Sequence, residues 1–187
     1  MSPPILSSPF LNFNTINTIL SSPTPIPIEQ RIQLLEAKIH LLTSSLPASI
    51  KSATTISDQR SRSEISERDR ATLDIDKNRV DLGRTYLSQK VPDYIKAEME
   101  FGIVDRDCKS ILKRIEKSLS RDDGEVSSGS HNKEEPPGEA WVDELKRVRI
   151  DALKGMISVE EGLGREVRAE RWRKAIQGLE GQASTPI

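Results

Sequence analysis

The sequence is short of the residues that most often carry chemistry. It holds one cysteine, Cys108, and two histidines, His40 and His131, in 187 residues. A lone thiol excludes an intrachain disulfide framework and suits a reducing compartment. One cysteine and two scattered histidines also fall short of the four ligands a structural zinc site needs. No metal or other cofactor is expected. Aromatic residues make up only 4% of the chain. Because aromatics supply much of the buried area in compact cores, this scarcity points to helices packed through Leu, Ile and Val. Neither sign of charge prevails, with 28 Lys and Arg against 29 Asp and Glu. No overall field therefore directs the molecule to nucleic acid or to an anionic membrane.

Long apolar runs are missing too. The most apolar stretch, FLNFNTINTIL at residues 10–20, carries Asn and Thr throughout and lies between prolines, which is no membrane span. Residues 1–28 contain no charged side chain, so neither a secretion signal with a basic start nor an Arg-rich transit helix is expected. The expected location is cytoplasm or nucleus.

What the chain does have is periodicity. Ile28, Ile32, Leu35, Ile39, Leu42 and Leu46 recur at spacings of three and four, a heptad seam on one face of a helix. Ile32 and Ile39 with Leu35 and Leu42 match the residue preference of a parallel two-stranded coil. Three heptads are marginal alone, so the seam needs a partner. A second register runs through Leu73, Val80, Leu87, Tyr94, Phe101, Cys108 and Ile115, each seven residues from the next. It is one residue out of phase with the first, and Pro92 interrupts it, so a kink or joint is expected there. Its companion line is polar at first, through Asp76, Gly83 and Lys90, then apolar through Ala97, Val104 and Ile111. Over residues 73–90, Ile75, Leu82 and Tyr86 form a further stripe nearly opposite the first. A helix with two apolar stripes contacts two neighbours.

Charge patterning completes the picture. Of the 24 residues from Asp58 to Asp81, 13 are charged and nearly balanced in sign. Asp58–Arg62, Glu64–Arg68, Glu67–Arg70, Asp74–Lys77 and Asp76–Arg79 are spaced as helical ion pairs, each worth ~0.2–0.5 kcal/mol. This reads as a solvated helix rather than a basic tract. Six of the eleven prolines fall in residues 1–27, and Gly, Ser and Pro crowd residues 121–138. Beyond them, Leu145, Val148, Ala152, Met156, Val159, Leu163 and Val167 recur at spacings of three or four, and Trp172, Ile176 and Leu179 follow. Gly162 and Gly164 mark a turn between helices near 139–161 and 165–180.

These signals predict an all-α fold: an elongated helical bundle or coiled coil of three to five helices with a disordered N-terminal tail. The expected divisions are a leader at 1–27, a helical region at 28–120, a linker at 121–138, a helical hairpin at 139–181 and a tail at 182–187.

No catalytic constellation emerges. Cys108 lies on an apolar stripe, where a free cysteine acts as a small hydrophobe, and no histidine is placed near it in sequence. GLGREV at 162–167 begins like a dinucleotide loop, but Val167 stands where the third glycine belongs and no strand precedes it. The chain is not expected to be an enzyme. Arg165, Arg168, Arg171, Arg173 and Lys174 surround Trp172, a pattern able to bind phosphates and stack a base. Glu166 and Glu170 interrupt it, and a solvated face with Trp172 turned inward is the preferred reading.

The stretch VEEGLGREVRAERWRKAIQGLE at 159–180 resembles the last helix of BAG domains. These are three-helix bundles that grip the nucleotide-binding domain of heat-shock chaperones. Helices of that family carry an arginine eight residues before a glutamine; here Ala169 stands eight before Gln177, and Arg168 is one position off. The resemblance implies a bundle that regulates a chaperone, and no contact residue carries over. The expected function is a non-enzymatic coiled-coil subunit or adaptor of a multiprotein complex. Its partners would be other proteins, or a second copy of the chain. The alternatives are a self-contained bundle that regulates a partner, as a BAG-like cofactor does, and nucleic-acid binding through the basic C-terminal helix.

Overall fold

The computed structural model describes residues 12–46, 58–122 and 139–181. Among them the chain forms six α-helices and no strand: α1 (Phe13–Leu20), α2 (Ile28–Ser45), α3 (Asp58–Leu87), α4 (Tyr94–Asp122), α5 (Glu139–Gly162) and α6 (Glu166–Gly181). The fold is all-α, as the periodicity implies, but has more helices than the three to five expected.

One addition is α1, which forms within the segment expected to be a disordered leader. Asn12 caps it, its side-chain oxygen accepting from the Thr15 amide at 2.9 Å and from the Thr15 hydroxyl at 3.0 Å. Ile16 is then fully buried against Leu34 and Ala37 of α2. A cap supplies about 1 kcal/mol, and burial supplies the rest. Residues 1–11 lie outside the described residues, as do 47–57, 182–187 and all but the first two residues of the expected linker at 121–138.

Three helices, α3, α4 and α5, each pack against the other two; α2 lies on α3, α1 on α2 and α6 on α5. Side-chain pairs fix the directions. Lys77–Glu144 (2.8 Å) and Arg84–Asp151 (3.2 Å) are one heptad apart on both α3 and α5, which therefore run parallel. Asp69–Arg114 (2.5 Å) with Arg79–Glu100 (2.6 Å) makes α4 antiparallel to α3. Asp105–Arg149 (2.8 Å) and the seating of Tyr94 on Gly162 make α4 antiparallel to α5.

Phe101 is the centre of this arrangement. Its ring is fully buried between Gly83 of α3 and Gly155 of α5, and a Cβ added at Gly83 would lie 2.7 Å from it. Both glycines let a bulky ring occupy the space between closely approaching backbones. Gly83, a polar-looking break in the companion line, is thus what the core requires.

The second register does not run through one helix. Leu73, Val80 and Leu87 belong to α3, while Tyr94, Phe101, Cys108 and Ile115 belong to α4; all seven pack into one core. Between them residues 88–93 reverse the chain. The Asp93 amide donates to the Tyr86 carbonyl at 3.2 Å, and the Asp93 carboxylate accepts from the Lys96 amide at 3.1 Å, starting α4 just after Pro92. The two apolar stripes of α3 imply two neighbours, whereas it packs against three helices, α2, α4 and α5.

Candidate interaction surface

Each group of residues with functional promise in the sequence has a definite place in the fold. The first seam is enclosed by its own chain. Ile32, Leu35 and Ile39 are buried, and Ile28, Leu42 and Leu46 pack half-buried against the same core. Tyr86 of α3 donates a 2.7 Å hydrogen bond to Glu36 of α2. Burial, with that bond second, raises the phenol's pKa. Lys38, whose pKa burial lowers, stands 5.5 Å over the Phe13 ring of α1.

Among the described residues, no imidazole partners Cys108. Its thiol lies 3.8 Å from Asp76 Oδ2, and both residues are fully buried. Spacing alone pairs Asp76 with Arg79 on a solvated face. Instead Arg79 turns to Glu100, and the carboxyl points inward, with Oδ1 meeting no partner among the described residues. Burial, helped by the charge of Asp107, pushes the Asp76 pKa up to about 8. Burial and the Asp76 charge likewise raise that of the Cys108 thiol. Such a thiol is a poor nucleophile, since the thiolate is the reactive form. His40 faces solvent on α2, and His131 lies outside the described residues. No group of three or more His, Cys, Asp or Glu among the described residues is placed to hold a metal ion. No described helix is long and apolar enough to cross a membrane.

Three of the five basic residues at the start of and along α6, Arg165, Arg168 and Arg173, face carboxylates. Arg168 reaches Glu98 of α4 at 3.2 Å and the fully buried Glu160 of α5 at 3.0 Å. Arg165 lies 3.8 Å from the same Glu160. Arg173 pairs with Glu161, with Glu166 at 2.6 Å and with Glu170 at 3.2 Å. Arg171 sits 5.8 Å over Trp172, whose indole packs inward against the core and against α5. Lys174 is exposed. What remains available to an anion is much less than the five positive charges of the sequence.

Among the described residues, a group of exposed apolar side chains lies at the α3–α4 turn and along α4. Val91, Ile95 and Met99 are 81%, 76% and 59% exposed, spaced by four down from the α3–α4 turn. Ala97, Phe101, Val104 and Cys108 point the opposite side of α4 into the core. Lys96, held 5.2 Å over the Tyr86 ring, and Glu98, paired with Arg168, flank the stripe. Sequence reading missed this surface, because the seven-residue register drew attention to the buried face of the same helix. Its signal was available as an i, i+4, i+8 apolar series beside Pro92.

No family model, curated protein or solved structure matches the chain. The stretch that resembles a BAG helix is divided here, residues 159–162 ending α5 and 166–180 lying in α6.

Proposed function

We propose that this protein is a non-enzymatic adaptor or complex subunit: a self-contained helical bundle that binds a protein partner by helix–helix contact. The observation that carries the reading is the Val91–Ile95–Met99 stripe. Exposed large apolar residues grouped together mark interaction sites more often than scattered ones do, and Ile95 and Met99, one turn apart on α4, suit the apolar face of a partner helix. The internal burial of the first seam favours a bundle complete in one chain over an open zipper awaiting a second strand. The buried free thiol of Cys108 suits the reducing interior of a cell, in cytoplasm or nucleus.

The test is a double variant, Ile95→Glu with Met99→Glu, compared with wild type by proximity labelling in cells. Helicity and melting temperature are measured on the same proteins. The reading expects specific neighbours to be lost while the fold persists. An unchanged set of neighbours with the fold intact would overturn it.

A further inference from the structure

At the joint between α5 and α6 the apolar pattern and the path of the chain disagree. Leu145, Val148, Ala152, Met156 and Val159 line the core-facing side of α5 and are all buried. Leu163 and Val167 extend this line of three- and four-residue spacings, yet they are 38% and 88% exposed. The chain leaves the line because Gly164 adopts φ +70°. There the Gly164 amide donates to the Glu161 carbonyl at 3.0 Å and the Arg165 amide to the Glu160 carbonyl at 2.7 Å, closing the helix with a left-handed glycine. If α5 ran on through residues 163–165, Leu163 and Val167 would fall on its buried line.

The element beyond the joint is separable. The backbone of α6 approaches α5 alone. Trp172, Ala175, Ile176 and Leu179 pack there against Ile150, Leu153 and Ile157. Outside that contact, Trp172 also packs on the edge of the main core, and Arg168 is ion-paired with Glu98. The face of α5 beneath it is fitted in shape to α6 and in charge as well, since Glu160 and Glu161 receive Arg168 and Arg173. The occupant that reproduces every one of these contacts is α6 of a second copy.

We propose that two copies of this chain exchange α6 through a hinge at residues 163–165, with α5 and α6 of each copy joined into one helix. Exchange of an identical element creates a dimer without new side-chain chemistry, and a three-residue hinge favours it. The exchange does not use the α4 stripe, so the two readings stand or fall separately.

The experiment is light scattering on the full chain over a range of concentrations, with circular dichroism on each sample. Gly164→Ala penalises the left-handed turn and favours a continuous helix, so the dimer fraction should rise, its association constant increasing on the order of tenfold or more. Gly164→Asn tolerates the turn and should behave as wild type. Deleting residues 163–165 forbids the closed hairpin and should give dimer alone; if Gly164→Ala loses helicity, this variant decides. The dimer should survive the addition of Ile95→Glu and Met99→Glu. A folded deletion variant that stays monomeric, equal behaviour of the alanine and asparagine variants, or a dimer abolished by the α4 changes would each overturn the exchange.

Discussion

Asp76 stands with no exposed surface between α3 and α4, facing Cys108 and Asp107 with Arg79 nearby on its own helix. Its pKa, ordinarily 3.8, is held at about 8, so folding takes up a proton at intermediate pH. The stabilising protonated form is complete below about pH 4 and is lost as pH rises through 8, costing up to on the order of 5 kcal/mol. Asp69, also raised by burial although Arg114 opposes it, contributes with the same sign. Asp76→Asn is therefore expected to flatten most of the fall in urea midpoint between pH 5 and pH 9 and to exceed wild type at the alkaline end. A parallel pair of curves would place the carboxyl in water instead.

The glycines provide a second residue-scale prediction, in which one substitution has opposite signs at different sites. Gly83→Ala and Gly155→Ala drive a methyl into Phe101, which is confined from both sides and cannot retreat. Overpacking of about 1–3 kcal/mol outweighs the roughly 1 kcal/mol gained in helix propensity. Gly102 in α4 has nothing within 4 Å of an added Cβ, so Gly102→Ala should stabilise by up to about 1 kcal/mol. Urea denaturation of the three variants reads both signs.

At the scale of elements, the helices differ in how much of the molecule depends on them. The backbone of α1 touches α2 alone, so Ile16→Ala, a loss of about 2–5 kcal/mol at a buried site, should release α1 without opening the core. Hydrogen exchange should show faster amides in α1 and unchanged protection in α3, α4 and α5. The opposite is expected for α2. Leu35→Asp with Ile39→Asp places two charges in the main core, where unpaired ions are not tolerated, and helicity should collapse. A well-folded protein that merely loses a partner would instead show that the seam works between chains.

At the scale of the whole molecule, α3, α4 and α5 are held in register by ion pairs around the edge and by Phe101 at the centre. The pairs at the edge are partly wet and individually worth little, but they set which helix runs beside which. Replacing Lys77 and Arg84 by Gln should leave the melting temperature within a few degrees of wild type, since exposed pairs contribute about 0–1 kcal/mol each. A large drop on scanning calorimetry would assign them a structural role beyond alignment.

The sequence by itself determined the helical class, the inward faces of α2 and α4, the joint at Pro92 and the turn at Gly162–Gly164. Each follows from local periodicity and from the backbone limits of proline and glycine. The inward faces of α3 were legible only in part: Leu73, Val80, Ile75 and Leu82 announced themselves, whereas Asp76 and Gly83 looked like interruptions. A carboxylate in a charged stretch is locally indistinguishable from its solvated neighbours until α4 lays Cys108 across it. Gly83 likewise reads as a weakness in a helix until the ring of Phe101 arrives from a distant part of the chain. Tertiary structure also decided that the first seam closes within the chain, that Arg168 and Arg173 of α6 are spent on carboxylates, and that Val91, Ile95 and Met99 face outward. Periodicity reports which residues share a face of a helix; only the packing of other helices decides which face is covered.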